Sequence, residues 1–196
     1  MTEFADRVSA IILAGGLSSR MGTCKAELNW QGTTLLEHQI NKVRNLKIED
    51  IIISGYSPAP DGTVYVPDIY CQKGPLGGIH AGLTAAAHPY CLVTGIDTPL
   101  IPPQTLLELI QMHLTGTCPV TVLSHGDKLE PIIGVYNSSL AGTCDSLLAN
   151  GNPRIRRLLD AAGYCLYPYK GEEVLLSNCN TPEEYEFLSA YAARHA

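Results

Sequence analysis

Four apolar runs constrain the fold most. Arg7 to Ala14, with Val8, Ile11, Ile12 and Leu13, is apolar enough to be a strand buried on both faces. Asp50 to Gly55 holds a second buried strand at Ile51 to Ile53, and Val64 to Val66 and Cys91 to Thr94 read as a third and a fourth. Each breaks at glycine, proline or aspartate: Gly15-Gly16, Gly55, Pro67-Asp68 and Gly95-Ile-Asp97. Between them lie segments of helical spacing, with Leu36, Ile40 and Val43 after a Thr33 or Thr34 cap. A second runs from Gly74 to about Ala87 with Pro75 in its first turn, and a third carries Leu106, Leu107, Ile110 and Leu114. Strands alternating with helices predict a three-layer, Rossmann-like α/β fold with a doubly wound, mainly parallel sheet.

The later half adds one antiparallel element. Pro119 to Leu123 reads as a strand, and Ser124-His-Gly-Asp127 as a hairpin turn into Leu129 to Tyr136. Helices are expected over 138–149 and 154–161, and late strands at Tyr164–Tyr167 and Val174–Leu176. The last helix opens at Asn180-Thr-Pro-Glu-Glu. With no repeat, low-complexity tract or linker, residues 1–196 read as a single domain.

Composition narrows the function. A net charge of -6 argues against a general nucleic-acid binder. No apolar run reaches the roughly 18 residues of a membrane span, and the N-terminus lacks the basic start and apolar core of a signal peptide. The expected location is the cytoplasm, without membrane partners. The seven cysteines are scattered, contain no Cys-x-x-Cys, and in a reducing compartment are expected as small buried hydrophobes rather than disulfides. Cys24 differs, lying in a polar loop. The histidines lack metal-ligand spacing; His80, after Gly77-Gly78, is the one to follow.

That polar loop begins where the first strand ends, in Leu13-Ala-Gly-Gly-Leu-Ser-Ser-Arg-Met-Gly-Thr-Cys-Lys25. Small residues leave backbone N–H groups accessible, and Arg20 and Lys25 add positive charge, the combination a polyphosphate requires. Neither Gly-x-x-x-x-Gly-Lys-Ser/Thr nor Gly-x-Gly-x-x-Gly is present. Gly15-Gly16 alone would be a strand-ending turn; with Ser18, Ser19, Arg20, Gly22 and Lys25 following, phosphate binding is expected.

Three further groups stand at loop positions. Gly74-Pro-Leu-Gly-Gly78 either brings bare backbone to a nucleotide or packs a helix tightly on the sheet. Asp97, at a strand's carboxyl end, suits Mg2+, which takes one or two carboxylates plus phosphate oxygens, although Asp97 or Thr98 could instead cap a helix. Asp68 could accept from the N1 and N2 edge of guanine or close a turn. Arg154, Arg156 and Arg157 fit an anionic second substrate or a solvated helix face.

Together these segments resemble the molybdenum cofactor guanylyltransferases of the nucleotidyltransferase superfamily. The matching residues are Leu13–Gly22 with Lys25, Gly74–Ile79, Asp97-Thr-Pro99, Glu130-Pro131, Gly151-Asn-Pro-Arg154 and Asn178-Cys-Asn-Thr-Pro-Glu183. The resemblance implies transfer of GMP from Mg-GTP to the terminal phosphate of molybdopterin cofactor, with pyrophosphate released. By it Leu13, Ala14, Gly15, Gly16, Ser18, Ser19, Arg20 and Lys25 hold the nucleotide, and Asp68 selects guanine. Gly74, Pro75, Leu76, Gly77 and Gly78 approach the nucleotide, and Asp97 holds Mg2+, with Mn2+ as the alternative ion. Arg20, Lys25 and Asp97 carry the catalysis. Pro131, Arg154, Asn178 and Asn180 face the acceptor.

It also implies a nucleotide-binding half of about 1–100 and an acceptor-binding half of about 101–196. Molybdoenzymes or their chaperones are the further partners. Cys24 stands where relatives often have an acidic residue, and Ile96 where a cysteine is frequent. The competing readings are a cytidylyltransferase for the same cofactor or another small phosphate acceptor, and a non-catalytic nucleotide- or cofactor-binding adaptor.

Overall fold

The computed structural model describes residues 4–15, 24–70 and 73–195. In chain order its elements are β1 (Val8–Leu13), a small hairpin of β2 (Asn29–Trp30) and β3 (Thr33–Thr34), α1 (Leu35–Asn45), β4 (Ile51–Ser54) and β5 (Val64–Val66). Then come α2 (Pro75–Ala85), β6 (Tyr90–Gly95), α3 (Pro103–Thr115), β7 (Val120–His125) and β8 (Lys128–Asn137). The chain closes with α4 (Ala141–Ala149), α5 (Ile155–Ala162), β9 (Cys165–Pro168) and α6 (Pro182–Arg194).

Seven strands form one sheet in the order β5-β4-β1-β6-β8-β7-β9. β1 pairs in parallel with β4 on one side and β6 on the other, so the chain winds outward in both directions from β1. The crevice beyond the carboxyl ends of two such strands is where open α/β sheets bind ligands. β8 is the antiparallel member, between β6 and β7, as the turn at 124–127 predicts.

Alternation along β1 divides the core. Val8, Ala10 and Ile12 pack with Leu36, Ile40 and Val43 of α1 and Leu106, Leu109 and Ile110 of α3. Ile11 faces the opposite layer, with Ile79 and Leu83 of α2, Leu148 of α4 and Leu158 and Leu159 of α5. Each such side chain fully removed from water contributes about 1.5–3 kcal/mol. A third cluster joins Trp30 and Leu35 to Cys179, Leu188 and Ala192, and so docks α6 beside the small hairpin.

Helix α2 lies unusually close to the sheet. A Cβ on Gly82 would stand 2.6 Å from Ile11 Cγ2, and one on Gly78 2.9 Å from Leu13 Cδ2. Gly78 therefore serves helix-on-sheet packing, one of the two readings its motif allows.

Two expectations need correction. Val174–Leu176 lies in a 3-10 turn, Glu173–Leu176, rather than a strand. Its apolar run found a core to enter, through Leu176, instead of a strand to pair with. Cys118 and Cys165 form a disulfide, because β7 and β9 run in parallel and bring the starts of both strands together. Cys91, Cys144 and Cys179 are the buried free thiols the sequence leads one to expect, and Cys24 is exposed.

Candidate active site

The crevice begins with glycine against glycine. Ala14 N–H donates to Ser54 O (2.8 Å), and a Cβ on Gly15 would lie 3.0 Å from Gly55 Cα. Two strand-ending backbones thus touch where a side chain on either would separate them. Gly16, Ser18, Ser19 and Arg20 lie outside the described residues. The description resumes at Cys24, and Lys25 opens a short 3-10 turn, Lys25–Glu27.

Asp97 sits just beyond the end of β6, on the loop Gly95-Ile-Asp-Thr-Pro99, and that loop is held from below by α1. Gln39 Nε2 donates to Gly95 O (2.9 Å) and Thr98 O (3.1 Å). Lys42 Nζ donates to Pro99 O (2.8 Å), and His38 Nε2 lies 3.0 Å from the same carbonyl, which fixes the Nε2–H tautomer as donor. Ile96 faces the core, and its N–H reaches Leu13 O (3.2 Å). The carbonyls of Gly95, Thr98 and Pro99 are therefore met by side chains of α1.

Lys42 is almost fully buried, and burial pushes its ammonium down to about 7 from 10.5. Between those values the unfolded chain binds the proton that the folded chain has released. The cost of charging Lys42 in the fold thus applies in full below about pH 7 and fades as pH rises toward 10.5. Relative to a Lys42→Met variant, the protein should gain stability across that window, with a limiting slope of about 1.4 kcal/mol per pH unit. Urea titrations of both proteins at several pH values measure it; parallel curves would contradict it.

From the other half of the chain, two segments reach Asp97. The β7–β8 register jumps between Val122 and Leu123: Val122 pairs with Gly134, but Leu123 pairs with Glu130. The intervening Pro131, Ile132 and Ile133 form a bulge, and pairing of β8 with β6 extends only over Tyr90–Val93. The bulge turns the arm over the end of β6, so that Ile132 Cγ2 lies 3.3 Å from where a Gly95 Cβ would be. Tyr136 Oη donates to Pro131 O (2.5 Å) and braces it. The second segment precedes α6. Cys179 N–H donates to Asp97 O (2.7 Å), and Lys25 Nζ donates to Asn180 Oδ1 (2.7 Å). A capping box fixes it, with Glu184 Oε2 accepting from the N–H groups of Asn180 (2.7 Å) and Thr181 (3.0 Å).

The charges converge accordingly. Burial holds the Asp97 carboxyl above its ordinary range, the Lys25 ammonium works against that, and the Glu130 carboxylate adds to it. A Cβ on Gly95 would overlap Asp97 Oδ1, so glycine there makes room for the carboxylate. A half-buried carboxylate within electrostatic reach of a second carboxylate and one lysine is a site that gains from a further cation.

Asp68 stands apart, beyond β5. Ser54 Oγ donates to its Oδ1 (3.0 Å), and its Oδ2 lies 3.6 Å from where a Gly77 Cβ would be, in the first turn of α2. Gly74, Pro75 and Leu76 form the start of that helix, Gly74 with φ +63°. Asn178 and Asn180 line a cavity of about 350 Å3 that also includes Glu130. Arg154 precedes α5 and is exposed on the layer of α2 and α4, away from that cavity's lining. His80 is buried in the α2–α4 contact, its Nε2 3.8 Å from Asp145 Oδ1. Sequence reasoning did not assign Gln39, Lys42 or Glu130 to the site. For the first two the signal was present: polar residues at positions 39 and 42, interrupting the apolar stripe of α1.

The family model described as MobA-like NTP transferase domain matches residues 10–165. The chain belongs to that family. The molybdenum cofactor guanylyltransferase of Pseudomonas paraeruginosa is 33% identical over 182 residues, 89% of this chain and 91% of that protein. Among solved structures, molybdopterin-guanine dinucleotide biosynthesis protein A of Archaeoglobus fulgidus superposes with a TM-score of 0.79 at 22% identity, covering 95% of this chain and 99% of that one. A Mycobacterium tuberculosis protein solved in complex with manganese gives a TM-score of 0.71 at 17% identity, covering 95% and 99%. Among the described residues no helix is long and apolar enough to cross a membrane.

Proposed function

We propose that this MobA-like protein transfers GMP from GTP to the terminal phosphate of molybdopterin cofactor, forming the guanine dinucleotide and pyrophosphate. The observation that carries the reading is the meeting of Lys25, Asp97, Glu130 and Asn180 at the ends of β1 and β6. The named relatives point to the substrates, and the convergence of these residues from both halves of the chain supports the reading.

The donor set fits a divalent ion. Among the described residues no cluster of three or more carboxylate, histidine or cysteine side chains could cage a metal alone. One buried carboxylate with room for phosphate oxygens is what Mg2+ takes, and Mn2+ accepts the same ligands. Asp97 would hold it, and the ion would offset the negative charge of the triphosphate. Lys25 supplies a second cation on the nucleotide side. A phosphate oxygen of the acceptor forms the new bond to the α-phosphorus as the bond to pyrophosphate breaks. That oxygen is already anionic, so the protein need not remove a proton. Its work is to bring anions together in line and to balance their charge.

Leu13, Ala14 and Gly15 would give the nucleotide close access to backbone, and Gly16, Ser18, Ser19 and Arg20 are assigned to the nucleotide from the sequence. Asp68, held by Ser54 and set against the glycine-rich turn of α2, would accept from adjacent guanine donors, a pair that cytosine lacks. Pro131, Asn178 and Asn180 belong to the acceptor side, with Arg154 as a more distant anion contact.

Melting curves with GTP, CTP or ATP, each with Mg2+, test the base assignment. GTP at 100 times its dissociation constant should stabilise the fold by about 2.7 kcal/mol. A larger shift with CTP would transfer the assignment to a cytidylyl donor.

A further inference from the structure

Asp68 stands beyond the least supported strand of the sheet. It follows β5, an edge strand of three residues that among the described residues pairs with β4 alone. Val64 and Tyr65 of that strand are exposed. A short edge segment with few buried contacts opens more readily than the core. A side chain that must meet two adjacent donors on one base edge needs firmer support, because such a site works only when held to within about 0.5 Å.

Two braces supply that support. Ser54 Oγ, on β4, donates to Asp68 Oδ1 (3.0 Å). The second brace comes from the far half of the chain: Tyr70 Oη donates to Asp145 Oδ1 of α4 (2.8 Å), across 75 positions. Between Asp68 and Tyr70 the chain leans on the first turn of α2. A Cβ on Gly77 would stand 3.2 Å from Tyr70 O and 3.6 Å from Asp68 Oδ2, so one residue without a side chain receives both. The Tyr70 ring rests against the His80 imidazole, with centroids 5.7 Å apart, at the edge of the α2–α4 layer. Phenylalanine would serve that ring packing equally well. The hydroxyl is what reaches Asp145, and the hydrogen bond raises the phenol above its ordinary value, so it stays a donor.

We infer that Asp145 is a positioning residue for base selection: through Tyr70 it pins residues 67–70 and so aims the Asp68 carboxylate at the base. The inference rests on the reading of Asp68 as the acceptor of guanine donors. Asp145 acts through Tyr70 and need touch neither substrate. The accuracy of nucleotide choice then depends on α4, an element of the second half of the chain, as well as on the strand that carries Asp68.

Inosine triphosphate is the informative probe, because its base keeps the N1–H of guanine and lacks the 2-amino group. Isothermal titration of the full chain with GTP and with ITP, each with Mg2+, should show a preference for GTP of about tenfold or more, the scale of one hydrogen bond to a charged group. Asp68→Ala should abolish it. Tyr70→Phe and Asp145→Ala should each cut that preference about fivefold, by weakening GTP more than ITP, with the melting temperature unmoved. Asp145→Asn keeps an oxygen for the Tyr70 hydroxyl and should restore the preference. In an Asp68→Ala background, Tyr70→Phe should change nothing further. Transfer is read separately, as pyrophosphate release with GTP and molybdopterin cofactor, where the GTP KM should rise and kcat should hold. An Asp68-dependent preference that both brace variants keep would overturn the brace and leave the function standing. Equal losses for GTP and ITP would also overturn it, by marking the contact as merely structural. A wild type with no preference between the two nucleotides would overturn both the brace and the role of Asp68. A brace-dependent preference in a protein that transfers no GMP would overturn the function and leave the brace.

Discussion

Asp97→Asn should lower guanylyl transfer by about 10^3-fold, the scale on which losing one electrostatic stabiliser acts, without loss of the fold. The two parts of this expectation have one cause. Burial raises the Asp97 carboxyl above 3.8, so in the substrate-free protein its charged form is a cost that is present near neutral pH and disappears as pH falls through the ordinary carboxylate range. A neutral amide of the same shape removes that cost. The backbone contacts that fix the loop, from Gln39, Lys42 and Cys179, do not use the Asp97 side chain. The variant should therefore melt at or above the wild-type temperature at pH 7 while pyrophosphate release collapses. A melting temperature several degrees lower would mark Asp97 as structural. Near-normal turnover would remove it from catalysis.

The second large effect is expected at Gly55. Its φ is +85°, a region unfavourable for L side chains, and a Cβ there would overlap the Cα and N of Gly15. Neither obstacle is a flexible side chain that can swing away. Gly55→Ala should destabilise the protein by about 2–5 kcal/mol, from left-handed backbone strain and overpacking together, and should raise the GTP KM by displacing the start of the nucleotide loop. Gly32→Ala is the matched control. Its φ is +87°, but nothing lies within 4 Å of the added Cβ, so only the conformational part, about 1 kcal/mol, applies. Equal losses at the two positions in urea unfolding would show that the Gly15–Gly55 contact carries no special weight.

How far the sequence reveals this molecule depends on the reach of each interaction. The capping boxes at Thr34 and Thr181 connect residues three apart and can be read directly. So can the apolar strands, because burial on both faces leaves a local pattern. The strand order around β1 follows from rules of connection. The bulge at 131–133 does not, because it depends on β8 serving two neighbours with different needs: β6 on one side and β7 on the other. Glu130 beside Asp97 is a product of that bulge. Val174–Leu176 looked like a strand because apolar β-formers fit both a strand and a turn that inserts one side chain into a core. The cysteine expectation reasoned from sequence spacing and compartment, whereas the parallel pairing of β7 with β9 decides the distance between Cys118 and Cys165. Asn180 was assigned to the acceptor side, but its bond to Lys25 spans 155 positions, beyond any local pattern.

Under the proposed function, that bond would make the two substrates thermodynamically dependent on each other. In the proposed function Lys25 would face the triphosphate and Asn180 the acceptor. Whichever molecule draws its residue away breaks a contact that the other would also have had to break. The first arrival bears that cost, and the second is spared it. Linkage then requires each substrate to tighten the other by the same factor. An enzyme that must hold two anions at once thus has a link, built from one lysine and one asparagine, by which the presence of either favours the pair.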